Sequence, residues 1–211
     1  YRQDRRIPLS FNLPKRVLVV TGASGGHIFP ALGFLDRLKA KEGIDTLLIL
    51  PKTAIIRHIE NYGYKVKYFS HLRIKPKLLP FALIRLLRLA LESAFALLEF
   101  RPHLVIGFGS INSVPIVIFA RAFGIKTLIH EQNVIPGRAN RFLARFADRI
   151  AVSFNETQDY FKRCREKLRF TGNPLRKGLI RIDKPVALNF FGFNLGKFTI
   201  LVIGGSQGSR R

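Results

Sequence analysis

The sequence has no methionine, no tryptophan and a single cysteine, and only 13 acidic side chains stand against 36 lysines and arginines. Each scarcity excludes something. A lone thiol, Cys164, forms no internal disulfide and builds no cysteine-rich metal cage, and such usage fits a reducing, cytosolic setting. The five histidines, at 27, 58, 71, 103 and 130, show neither HxxH nor HExxH spacing, so no metal site and no cofactor is expected; a divalent ion held loosely on a diphosphate ligand stays open. A chain that starts at Tyr1 and contains no methionine reads as a fragment or a processed product. Its polar, charged first residues show no signal peptide.

The shortage of acid leaves a formal net charge of +23, which points to a polyanionic partner: nucleic acid, anionic lipid or a nucleotide diphosphate. Zinc-finger, RNA-recognition and basic-region heptad patterns are all missing, so no nucleic-acid partner is expected. The cations are scattered along the chain, and most of them read as solvated surface.

What is present is enough for a core: 47% of 211 residues are hydrophobic, sufficient for one large or two small domains. The organising stretch is Arg16–Ala31. Arg16–Thr21 is continuously apolar and β-branched, as a parallel strand buried on both faces is. Gly22-Ala23-Ser24-Gly25-Gly26 then removes side-chain bulk from a sharp turn, and helical spacing follows (Ile28, Ala31, Leu32, Leu35, Leu38). Backbone N–H groups at such a helix start bind phosphates and other anions. The glycine spacing is not that of the dinucleotide fingerprint, and the second strand ends in Leu50-Pro51 rather than in an acidic residue, which disfavours a dehydrogenase. His27 falls in the first helical turn, where the positive end of the helix dipole favours the neutral imidazole that a general base needs. A structural histidine is the alternative.

In chain order, residues 1–14 read as a flexible lead-in. Further strands are expected at Ile44–Leu50, Tyr64–Phe69, His103–Gly107, Ile125–Ile129, Asp148–Val152 and Lys167–Thr171, with helices at Thr53–Tyr62, Pro115–Phe123, Arg141–Ala147 and Glu156–Phe161. Between Leu78 and Phe100 a helix carries its charges, Arg85, Arg88, Glu92 and Glu99, in a stripe about 60° wide. A helix so apolar needs burial or a lipid surface, and four charges argue against spanning a bilayer. Its C-terminal half reads as a core helix. Its N-terminal half follows Arg73, Lys75 and Lys77, so Leu79, Leu83, Ile84 and Leu87 beside Arg85 and Arg88 suit either ordinary packing or an anionic membrane. Gly107-Phe108-Gly109-Ser110 makes a second glycine turn, and His130-Glu131-Gln132-Asn133 runs off the carboxyl end of a buried strand, into the ligand crevice of an open sheet. Residues 177–197 read as an interdomain linker, and Phe198–Ile203 as a fresh buried strand entering Gly204–Gly208, the opening of a second domain.

Five runs in one order carry a family resemblance: Gly22–Pro30 (GASGGHIFP), His130–Asn133 with Pro136-Gly137 and Asn140-Arg141, Ala147–Ser153 (ADRIAVS), Thr171–Arg176 (TGNPLR) and Gly204–Arg210 (GGSQGSR). With them the chain resembles the MurG family of GT-B glycosyltransferases. The resemblance implies an α/β architecture: a Rossmann-like parallel sheet flanked by helices over residues 15–176 as the acceptor-binding domain, and the start of a truncated donor-binding domain at 198–211. It implies an inverting transfer of N-acetylglucosamine from UDP-N-acetylglucosamine to an undecaprenyl-linked muramyl-pentapeptide in peptidoglycan synthesis, at the cytoplasmic face of the bacterial membrane as a peripheral protein. Ser24, Gly25, Gly26, Asn133, Arg176 and Ser206 match family positions that contact the sugar nucleotide. His27 matches the base, and Glu131 is expected to orient His27 or the acceptor. Gly107, Gly109 and Ser110 form the acceptor loop, and Leu79, Leu83, Ile84, Arg85, Leu87 and Arg88 correspond to the membrane patch. The second glycine turn lacks a further glycine and the tyrosine usual there, which leaves the acceptor open. Because the uracil- and sugar-binding elements are not in the sequence, little transferase activity is expected of residues 1–211 alone. The alternatives are a GT-B transferase with another lipid or glycoside acceptor, and a non-enzymatic acceptor- or membrane-binding module.

Overall fold

A computed structural model describes residues 16–52, 59, 63–70, 79–176, 179, 182–194 and 196–202. The helix expected at Thr53–Tyr62 therefore lies almost wholly outside the described residues. So do the lead-in, Arg73, Lys75, Lys77 and the Gly204–Arg210 run with Ser206.

Seven strands form one parallel sheet: β1 (Arg16–Val20), β2 (Asp45–Pro51), β3 (Val66–Phe69), β4 (Leu104–Gly107), β5 (Lys126–Glu131), β6 (Arg149–Val152) and β7 (Leu168–Phe170). Their order is β3-β2-β1-β4-β5-β6-β7. The chain winds outward from β1 in one direction and, from β4 on, in the other. Between β1 and β4 lies the switch point, where the helices that follow these strands pass to opposite faces of the sheet and leave a crevice above the carboxyl ends. The turns leading into both helices are the glycine-rich ones.

The strict alternation of β1 sorts its side chains into two cores. Leu18 and Val20 join Ile116, Val117 and Ile129 on the face covered by α2 (Leu79–Phe100), α3 (Ser113–Ala122) and α4 (Arg138–Leu143). Val17 and Val19 join Ile28, Leu32 and Leu35 of α1 (Gly25–Lys39) on the other. Being covered on both sides is what a continuously apolar strand requires.

Three expectations differ from the structure. The C-terminal half of α2 is not sandwiched: Leu89, Ser93, Ala96 and Leu97 are buried, but Leu91, Phe95 and Leu98 are each 63% exposed. One helix face meets the sheet, and no described element covers the opposite one. Phe198–Val202 forms no strand, and Phe198 is 92% exposed; a strand needs a ladder partner, and no described edge pairs with it. Residues Asn155–Lys167 form a 3-10 segment broken at Phe161 and Cys164, rather than a short α-helix. Within 177–197 the chain forms a two-turn helix, α5 (Lys184–Phe190).

Candidate active-site cleft

The two glycine turns meet. A Cβ on Gly22 would lie 2.6 Å from the Ser110 Cβ and 3.0 Å from His27 Cδ2, so only glycine lets the first turn touch the second with an imidazole beside them. Gly109 has φ +80°, and a Cβ there would sit 3.0 Å from His27 Cε1. Ser110 follows at φ +77°, an unfavourable conformation for a residue with a side chain. It is held by Ser113, whose Oγ and backbone N–H both donate to the Ser110 carbonyl, at 2.7 and 3.1 Å. Strain fixed in this way at the mouth of a sheet marks a site built for something other than stability. Gly107 needs its small size for packing, since a Cβ would press on Val117 at 3.2 Å.

At the start of α1, Ser24 is the N-cap residue, yet its hydroxyl makes no capping bond. The N–H groups of His27 and Ile28 both donate to the Ser24 carbonyl at 3.0 Å. Those of Gly25 and Gly26 have no acceptor among the described residues, as expected for the first turn of a helix. The Ser24 hydroxyl and these two amides form a donor set at the positive helix end, suited to a diphosphate.

His27 is half-buried. Its Nδ1 lies 3.0 Å from Gln132 Oε1, and its Nε2 has no partner among the described residues. The Gln132 amide nitrogen donates in turn to the carbonyls of His130 (3.0 Å) and Phe108 (3.5 Å), and lies 3.2 Å from His130 Nδ1. His130 is buried and stacked on Phe108 at 5.1 Å between ring centroids. Its Nε2 lies 3.2 Å from the Gly172 carbonyl. Burial holds its pKa below the ordinary histidine range, outweighing the Gly172 bond and the Glu131 charge, which both pull upward.

Glu131 is buried, and its carboxylate collects four donors. Oε1 accepts from the backbone and side-chain nitrogens of Asn133, and Oε2 accepts from the Gly137 N–H and from Asn140 Nδ2, all within 2.9–3.1 Å. Glu131 thus ties down the loop from Asn133 to Asn140, while the contact to His27, expected of Glu131, is made by its neighbour Gln132. Asn140 also donates to the His130 carbonyl at 3.0 Å. Its Oδ1 is buried without a partner, an acceptor facing a need for a donor.

These groups border one cleft of about 440 Å³, lined by His27, Gly109, Ser110, Glu131, Arg138 and Asn140. Asn133 is exposed just outside it. Arg176 arrives from the loop after β7: a Cβ on Gly33 would meet the Leu175 backbone at 2.8 Å, so that loop lies flat on α1. The Arg176 guanidinium carbon sits 4.1 Å from the centre of the Phe29 ring, two residues beyond His27. The structure therefore gathers Ser24, Gly25, Gly26, His27, Gly109, Ser110, Glu131, Asn133 and Arg176 at one end of the sheet; Ser206 lies outside the described residues. The membrane-patch residues are on α2, with Ile84, Arg85, Leu87 and Arg88 exposed. Gln132 and Asn140 were readable only as members of their motifs; their roles depend on partners 105 residues away and on β5. A second cleft of about 460 Å³, between α4 and the 155–167 segment, contains none of the expected site residues.

A doubly wound parallel sheet, with glycine turns and a histidine at its switch point, defines an α/β domain of the Rossmann-like class. The N-terminal domain of glycosyltransferase family 28 matches residues 17–152, and the chain belongs to that family. It is 36% identical over 208 residues to the UDP-N-acetylglucosamine–N-acetylmuramyl-(pentapeptide) pyrophosphoryl-undecaprenol N-acetylglucosamine transferase of Alkaliphilus metalliredigens, covering 93% of this chain and 55% of that protein. The protein of the same name from Halalkalibacterium halodurans is 35% identical, with 92% and 54% covered. The chain thus spans about half the length of the curated relatives it matches. Among solved structures, Acinetobacter baumannii MurG superposes with a TM-score of 0.58 at 23% identity over 67% of this chain and 42% of that one. The UDP-GlcNAc 2-epimerase of Neisseria meningitidis, bound to UDP-GlcNAc, gives 0.58 at 18% identity over 75% and 47%. At these identities the two structures speak for the fold.

Proposed function

We infer that this chain is the acceptor-side half of an inverting glycosyltransferase that moves N-acetylglucosamine from UDP-N-acetylglucosamine to an undecaprenyl-linked muramyl-pentapeptide. The observation that carries this reading is the cleft in which His27, Gly109 and Ser110 face the Glu131-braced loop, with the helix-start amides of α1 beside His27 in sequence. In the reaction His27 Nε2 takes the proton of the acceptor hydroxyl while that oxygen forms a bond to the anomeric carbon. The bond from that carbon to the UDP oxygen breaks, and UDP leaves with the electron pair. The amides of Gly25 and Gly26, the Ser24 hydroxyl and Arg176 neutralise the charge that builds on the diphosphate. Asn133 and Ser206 complete the donor contacts, and residues 198–211 begin the donor-binding domain. Gly107, Gly109 and Ser110 shape the acceptor side.

The protein works at the cytoplasmic face of the membrane as a peripheral protein. Among the described residues no helix is long and apolar enough to cross a bilayer, whereas α2 exposes Ile84, Leu87, Leu91, Phe95 and Leu98 beside Arg85 and Arg88. That pairing suits an anionic lipid surface. The altered second glycine turn favours one competing reading, a different lipid or glycoside acceptor for the same transfer.

The test is transfer of radiolabelled N-acetylglucosamine to the lipid-linked muramyl acceptor by a polypeptide that continues through the donor-binding domain. His27→Ala should lower turnover by about 10²–10⁴-fold, the usual contribution of a general base. Undiminished turnover in that variant rejects the assignment, and transfer to another acceptor alone selects the competing reading.

A further inference from the structure

We propose that Gln132 is a positioning residue that fixes the tautomer of His27, keeping its proton on Nδ1 and leaving the Nε2 lone pair free. The proposal rests on the reading of His27 as the base. An unconstrained histidine side chain prefers the opposite form, with the proton on Nε2, in which that nitrogen cannot accept one.

The two ends of a glutamine amide have the same shape but opposite roles. The nitrogen of Gln132 lies 3.0 Å from the His130 carbonyl and 3.5 Å from that of Phe108. Carbonyls only accept, so the NH2 group must face them; the reversed amide would set its oxygen against both. Oε1 is thereby turned to His27 at 3.0 Å, where an oxygen that only accepts requires a hydrogen on Nδ1.

A second lock lies behind the first. His130 Nε2 sits 3.2 Å from the Gly172 carbonyl, again an acceptor only, so His130 carries its proton there. Its Nδ1 lone pair is presented to the Gln132 amide at 3.2 Å. From His130 to Gln132 the donors and acceptors are therefore set by three main-chain carbonyls, none of which can change role. Gly22 and Gly109 close on the His27 ring from either side and hold it in register with Oε1. The loop that supplies Gly172 also carries Arg176, so one strand of backbone orients both the base and a cation.

Long-range proton–nitrogen NMR spectra of the chain labelled with 15N-histidine at about pH 8, above the ordinary histidine range, read the tautomer directly. The His27 signals are identified by their loss in His27→Asn. The expected pattern is a protonated, pyrrole-type Nδ1 and a pyridine-type Nε2. Gln132→Met should invert it, and Gln132→Glu, which keeps an acceptor oxygen, should retain it. A pyridine-type Nδ1 in the unsubstituted chain overturns the proposal whether or not the variants fold, as does an unchanged pattern in a folded Gln132→Met protein. The expected tautomer without any glycosyl transfer would instead count against the base assignment alone.

Discussion

Single residues at the cleft carry sharply different weights. Gly109 combines a left-handed backbone with a 3.0 Å approach to His27. Gly109→Ala should therefore destabilise the fold by about 1–2 kcal/mol, read as a lower urea midpoint. Because the added carbon presses on the imidazole, it should also lower the turnover of glycosyl transfer in a polypeptide that continues through the donor-binding domain. Gly137, which has nothing within 4 Å of a built Cβ, serves as the control and should tolerate alanine. Glu131 is buried and accepts four hydrogen bonds. Glu131→Ala leaves the Asn133, Gly137 and Asn140 donors unmatched and should cost roughly 2–4 kcal/mol. Unchanged denaturation of that variant would contradict the bracing role. His130 supplies a pH signature. Burial holds its folded pKa below the value of 6.5 that an unperturbed histidine has, so the unfolded chain binds more protons as pH falls through that value. Its contribution is fully present above about pH 6.5 and is lost as pH drops towards the folded pKa. Urea midpoints measured between about pH 8 and 5 should fall on the acid side, and the slope should flatten in His130→Phe.

At the scale of elements, α2 shows why hydrophobic content alone does not assign a role. Its 22 residues divide into a buried face through Leu89, Ala96 and Leu97, a charged stripe through Arg85, Arg88 and Glu99, and an exposed apolar stripe ending at Leu98. The charged stripe is also its tether. Glu92 accepts from the Ser70 N–H and hydroxyl at 2.8 and 2.7 Å and pairs with Arg88 at 3.0 Å. Burial pushes the Glu92 carboxyl upward, but these partners outweigh it and hold it below the usual carboxylate range. If the exposed stripe rests on lipid, Leu91→Glu with Phe95→Glu should reduce co-sedimentation with phosphatidylglycerol vesicles several-fold. The unfolding free energy from urea titration should stay within about 0.5 kcal/mol, as for other exposed positions. Loss of stability without loss of vesicle binding would place that face against protein instead.

For the whole molecule, the excess of cations acts at long range. A formal charge of +23 should make vesicle binding fall steeply between about 0.05 and 0.5 M salt, as the screening length shrinks. The same charge was plain in the sequence, as were the parallel strands, both glycine turns and the order of the family motifs. Continuous apolar runs and sharp breaks are local properties that a linear chain displays. The fate of Phe198–Val202 was not local: its apolar pattern fits a strand, but strand formation depends on a neighbouring edge, and no described edge pairs with it. Which face of α2 would be buried was equally undecidable, since Leu91 and Leu97 are alike as residues and differ only in what lies opposite. The sequence by itself determined the parallel α/β class and both glycine turns and singled out His27 as a candidate, because periodicity and turn chemistry are written residue by residue. Only the tertiary structure decided that Gln132, not Glu131, reaches His27, because a hydrogen bond across 105 residues exists only once β1 and β5 have taken their places on either side of β4.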